Sequence, residues 1–188
     1  MSIFSDLFGG GRPAQPLPYD PSSPEGLAAR WVQWVASFGP LRNPVADPDG
    51  SVAAVNQPDD VFFLAGTFGD AVERQCAVPA GRPLFLPAFN MWHWPADEPP
   101  PHLPHARGEL FVDDVFSELD VIATPIPFEV AGARGNPATG TRKPIPVTVW
   151  GLWRRLDPLP PGPHEIRFTG GDGHGFTVAA RYRIQVEA

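Results

Sequence analysis

Proline sets the first limit on what this chain can become. It fills 26 of the 188 positions, nearly three times the usual share of about 5%. Proline fixes φ, has no backbone N–H, and is excluded from helix interiors and from central strands of a sheet. A chain punctuated this often holds short regular elements between rigid turns. Yet 43% of the residues are hydrophobic, enough apolar surface to build a core. Short apolar strands between stiff loops point to an all-β fold, and the length suits one domain.

One segment reads as helix. In SPEGLAARWVQWVASFGP, Ser23 is a fitting N-cap, Pro24 suits the first helical position and Glu25 complements the dipole. Leu27, Trp31, Trp34, Val35 and Phe38 follow the helical repeat on one face. Gly39 and Pro40 end it. The continuous stripe marks Trp31 and Trp34 as core packing rather than a ligand platform. The rest reads as strands: VFFLAG (61–66), AVERQCAV (71–78), PLFLPAF (83–89), FVDDVF (111–116), LDVIAT (119–124), IPFEV (126–130) and IPVTVWGLW (145–153). At the end, Phe176, Val178, Ala180, Tyr182, Ile184 and Val186 alternate with polar residues, and HEIRFT (164–169) pairs with them across GGDGHG as a hairpin. Residues 95–107 and 131–144 read as long loops. The expected fold is a two-sheet β-sandwich or jelly roll with one N-terminal amphipathic helix. Residues 23–188 form the domain, and residues 1–22 an extended N-terminal arm.

In the arm, IFSDLF would place Ile3, Phe4, Leu7 and Phe8 on one face of an amphipathic turn. Gly9, Gly10 and Gly11 supply a pivot, and Pro13, Pro16, Pro18 and Pro21 favour an extended course. A net charge of −7 with scattered basic residues argues against a nucleic-acid surface. No run of eighteen apolar residues exists to span a bilayer. The opening lacks the charged n-region and long apolar stretch of a signal peptide, so manufacture and retention in the cytoplasm are expected. A lone cysteine, Cys76, allows no internal disulfide, and the thiol is expected to be a small buried hydrophobe.

Several blocks resemble a family of uncharacterised bacterial β-sandwich proteins, often secreted. They are ARWVQW (29–34), NPVAD (43–47), Gln57, VFFLAGTFG (61–69), RQCAVPAGRPLFLP (74–87), Asn90 and PGPHEIRFTG (161–170). The resemblance implies a fold but no activity. Its secreted members place a cysteine where this chain has Ala53, which implies that Cys76 has lost a disulfide partner. The opening, LFGGG followed by prolines, also resembles the N-terminal arms of phage virion proteins.

Two clusters carry candidate chemistry. His93, His102, His105 and Glu109 lie within seventeen residues and offer metal-ligating side chains. Their spacing departs from the cupin pattern of two histidines at i and i+2, and from the helical i and i+4 pair of zincins. Water-facing histidines on a proline-stiffened loop are the expectation, with no metal and no cofactor. Trp92 and Trp94, with Trp150 or Trp153, offer a stacking surface. Glu109, Asp113, Asp114, Glu118 and Asp120 supply carboxylates, but the adjacent Asp113 and Asp114 would face opposite sides of a strand, unlike a glycosidase pair. Asp47, Asp49 and Asp172 lack the EF-hand calcium pattern.

The expected role is a non-enzymatic structural or assembly protein of virion or particle-decorating type. Ile3, Phe4, Leu7 and Phe8 would dock on another protein, either a further copy or a neighbouring subunit, to give an oligomer. The alternative is a small-ligand or carbohydrate-binding module using Trp92 and Trp94. A cupin-like metal-dependent enzyme is the third reading.

Overall fold

The computed structural model describes residues 16–188, and the arm residues Ile3, Phe4, Leu7 and Phe8 lie outside that range. The chain runs α1 (Pro24–Ala36), β1 (Phe62–Phe63), β2 (Ala71–Val78), β3 (Leu84–His93), β4 (Arg107–Val112), β5 (Val115–Ser117) and β6 (Asp120–Ala123). It continues through β7 (Phe128–Val130), β8 (Ile145–Leu156), β9 (Gly162–Gly171) and β10 (Thr177–Val186). Two mixed sheets form a sandwich. Sheet A has the order β1-β3-β8-β6, with β7 also on β8, and sheet B the order β2-β10-β9-β4-β5. Among the described residues, no helix is long and apolar enough to cross a membrane.

The helix begins where its cap dictates. The Ser23 hydroxyl accepts a hydrogen bond from the Gly26 N–H, and Pro24 occupies the first turn. Its apolar stripe buries against sheet A, where Trp31, Trp34 and Val35 meet Phe63, Phe85, Val149 and Trp153. The opposite face of sheet A packs on sheet B through Phe62, Leu64, Leu84, Leu86, Phe168 and Tyr182. Sheet A is thus covered on both sides, which explains why its strands read as apolar runs without alternation. Sheet B is covered on one side. Val178, Ala180, Tyr182, Ile184 and Val186 point inward, while Glu73, Glu165, Arg181 and Arg183 form ion pairs on the outer face.

The sheets approach closely at a bulge. Ala88 is the extra residue between Pro87 and Phe89 as β3 crosses to β8. Beneath it, Gly170 of β9 pairs with Gly108 of β4. A Cβ at Gly170 would lie 2.4 Å from the Ala88 carbonyl oxygen, and one at Gly108 3.3 Å from the Ala88 Cβ. Only hydrogen fits at Gly170, and a methyl group at Gly108 would be tight.

Three expected elements differ. FVDDVF is a hairpin, not one strand: Asp113 and Asp114 both have positive φ (49° and 64°) and form the turn between β4 and β5. Two aspartates replace the usual Asn-Gly, so the turn carries little sequence signal. Phe176 precedes β10 and is 37% exposed rather than continuing its buried face. The strand expected over 61–66 is a ladder of two residues.

Asp113 ties this hairpin to β9. His164 Nδ1 lies 2.6 Å from one Asp113 carboxylate oxygen, and the Glu165 N–H donates to the other at 2.8 Å. The Asp113 hydrogen bond raises the His164 pKa against an opposing effect of burial, with the Pro160 carbonyl adding to the rise. A raised histidine pKa contributes stability that is fully present below the ordinary value of about 6.5 and is lost as pH climbs through the folded value. Asp113 is half exposed, so solvent screening limits the contribution to about half a kcal/mol. Thermal denaturation at about pH 6 and about pH 8 should show a larger loss of Tm for the native chain than for His164→Asn, and equal losses would refute the coupling. Separately, Gly170→Ala should destabilise the chain by more than about 2 kcal/mol in urea unfolding, because the new methyl group meets rigid backbone.

Candidate functional site

The short β1 ladder has a physical cause. Phe62 N–H donates to the Pro83 carbonyl at 2.8 Å, and Leu64 N–H to the Phe85 carbonyl at 3.0 Å. In this parallel register the next bond would run from the N–H of residue 87 to the Leu64 carbonyl. Residue 87 is proline and has no N–H. The Leu64 carbonyl instead accepts from the Trp31 indole N–H at 2.9 Å.

Beyond Leu64 the chain is drawn away from β3 by a buried arginine. Arg74, 1% exposed, takes an inward position on β2 between Val72 and Cys76. Its guanidinium donates to the carbonyls of Val45 (3.1 Å), Asp47 (2.7 Å), Ala65 (2.7 Å) and Gly66 (2.9 Å), and to the Tyr182 hydroxyl (2.8 Å). Tyr182 accepts from the Ala65 N–H and donates to the Ala65 carbonyl. Among the described residues no carboxylate oxygen lies within 4 Å of the guanidinium, so four backbone dipoles and a phenol replace its water. Both backbone groups of Ala65 and the carbonyl of Gly66 are thus committed to this centre and unavailable to β3.

Between β3 and the diverging chain lies a cleft of about 320 Å³. One wall carries Gly66, Thr67 and Phe68, the opposite wall residues 87–92 of β3, with Trp31 at the base and Trp94 and Phe176 at the rim. Phe68 is 51% and Trp94 44% exposed. No charged side chain lines it. Among the described residues, the edge of β3 inside the cleft is unpaired. Thr124 N–H donates to the Val149 carbonyl at 2.9 Å, so Val149 and Gly151 turn their backbone groups toward β6. Their partners across β3 are Trp92 and Asn90, which occupy the non-hydrogen-bonded positions and direct their N–H and C=O away from β8. No described residue hydrogen-bonds those groups.

Of the residues singled out from sequence, Trp92 and Trp94 both line this cleft, Trp92 lying 6.1 Å from Trp31 between ring centroids. Trp150 and Trp153 do not serve as a stacking surface, because both are buried in the core. The histidine cluster is dispersed. His93 is on β3 opposite Thr148, and His102 packs edge-on against Trp150. His105 stacks edge-on with His174 at 5.3 Å, and Glu109 is exposed on β4. Among the described residues no three His, Cys, Asp or Glu side chains converge on a metal position. Asp47 and Asp172 instead accept backbone N–H groups from their own loops. Burial and the nearby Asp47 push the Cys76 thiol up to about 12, with Arg74 opposing. Phe68, Met91 and Phe176 are the cleft residues sequence reasoning missed. The available signal was Pro87, a proline inside an apolar strand, which marks an edge.

Another depression, of about 390 Å³, crosses the outer face of sheet B past Glu73, Arg167 and Arg181. Glu73, Arg167 and Arg181 already have ion-pair partners, Arg181 lying 3.6 Å from Glu73 and Arg167 3.0 Å from Glu165. Compared with models of known protein families, with curated proteins and with solved structures, the chain matches none.

Arg74→Met should lower stability by more than about 3 kcal/mol, since it leaves several buried carbonyls without donors. Tyr182→Phe should cost about 1–2 kcal/mol. A loss below about 1 kcal/mol for Arg74→Met in urea unfolding would contradict the role given to this centre.

Proposed function

We propose that this protein is a non-enzymatic binding component whose aromatic cleft receives an extended apolar chain segment as an added strand on β3. The observation that carries this reading is the backbone of Asn90 and Trp92, unpaired among the described residues, at an uncharged, aromatic cleft. Exposed sheet edges are ordinarily guarded by charges, by bulges or by a covering loop. Here the Pro87 and Ala88 bulge is the guard at one end, and along Asn90 and Trp92 the flanking side chains are apolar. Backbone hydrogen bonds would supply affinity and the aromatic walls selectivity, as in other strand-addition complexes.

The alternative of a small-ligand or carbohydrate module draws support from the exposed face of Trp94. The two readings separate on one assay, iodide quenching of tryptophan fluorescence with a guest present. A capped hexapeptide rich in valine and phenylalanine should shield Trp94. N-methylation of its alternate amides should abolish that shielding, and Trp94→Ala should weaken binding about tenfold or more. Equal binding by the N-methylated peptide, or none by either, would overturn the strand-addition reading. Shielding by a soluble oligosaccharide instead would transfer the site to the alternative.

A further inference from the structure

We infer that the occupant of the cleft is the N-terminal segment of residues 3–8, donated by a second copy of the chain. This inference rests on the strand-addition reading above and names its guest.

The cleft dictates what a guest must look like. A strand added to β3 extends sheet A, and sheet A is covered on both faces, by the α1 layer on one side and by sheet B on the other. The cleft reproduces that arrangement: Trp31, Val45 and Trp92 belong to or pack on the α1 layer, whereas Phe89, Phe176 and Val178 belong to the inter-sheet side. A guest there needs apolar side chains on both faces, unlike an ordinary surface strand, which alternates apolar and polar. Read with a period of two, IFSDLF puts Ile3 and Leu7 on one face with Ser5 between them, and Phe4 and Phe8 on the other with Asp6 between them, so each face carries two large apolar side chains. It contains no proline, so every residue of the stretch can donate to a ladder. The segment carries four large apolar side chains in six residues.

The placement of the chain's entry favours donation between copies. The described chain enters the body where Tyr19 bonds the backbone of Ile126, 2.6 Å from both its carbonyl and its N–H. Ile126 follows β6, at the edge of sheet A opposite β1. The cleft is on the β1 side. The Tyr19 anchor that leads to the segment and the cleft therefore sit at opposite edges of one sheet, an arrangement suited to a head-to-tail, heterologous contact between copies.

Sedimentation of the full chain over a range of concentrations tests this. The native chain should associate with increasing concentration. Phe4→Asp with Phe8→Asp, which alters the donor and leaves the body intact, should weaken association at least about a hundredfold. Phe68→Asp, at an exposed cleft position, should do the same through the acceptor. Mixing the two variants should restore a 1:1 complex and nothing larger, because one supplies the donor and the other the cleft. A native chain that stays monomeric, or a donor variant that associates like the native chain, would overturn the inference. A synthetic peptide of residues 2–9 isolates the cause. If the valine and phenylalanine hexapeptide shields Trp94 and this peptide does not, the occupant is wrong and the cleft reading stands. If neither binds, both fall. If the peptide binds while the native chain stays monomeric, the segment fills its own cleft and donation between copies is refuted.

Discussion

A buried positive charge organises this molecule. Arg74 sits in an otherwise apolar row on β2, and a charge in that position is tolerable only when its donors are satisfied. It gathers carbonyls from two separate loops, residues 45 and 47 after the helix and residues 65 and 66 after β1, and joins them to Tyr182 on β10. Connections that would otherwise be independent are thereby fixed to the inner face of sheet B. The same bonds decide where sheet A stops, because the chain leaving β1 is held toward Tyr182 and away from β3.

Two further side chains complete the separation. Pro87 lacks the N–H that would prolong the β1 ladder, and the Trp31 indole takes the carbonyl left over at Leu64. A helix residue, a strand proline and a buried arginine thus cooperate in leaving part of a sheet edge unpaired within an apolar cleft. The cleft is a consequence of how the backbone hydrogen bonds are distributed. Sheet B shows the contrast, since its outer face carries Glu73, Glu165, Arg181 and Arg183, whose charges pair with one another.

What sequence conveyed follows from range. Signals carried by neighbours in the chain were legible: the Ser23 cap with the stripe from Leu27 to Phe38, the alternation of β10, and the β9 to β10 hairpin all appear as read. Trp92 and Trp94 were visible as a stacking surface. The end of β1 was not, because it depends on residues 74, 87 and 182 acting together across the fold. Phe176 continued the β10 alternation in sequence, yet it lies before the strand begins and turns to the cleft rim. Phe68 stands in a Gly-Thr-Phe-Gly stretch with no periodicity to assign it a face. Asp113 and Asp114 were hidden because a two-aspartate turn lacks the glycine that usually announces one.

The free edge of β3 is the claim on which the cleft's use depends, and amide hydrogen exchange of the full chain at low concentration tests it most directly. Phe89, Met91 and His93 face β8 and should exchange slowly, while Asn90 and Trp92, between them, should exchange fast. Slow exchange at all five amides in the dilute chain would mean that the edge is already paired, and would contradict the account.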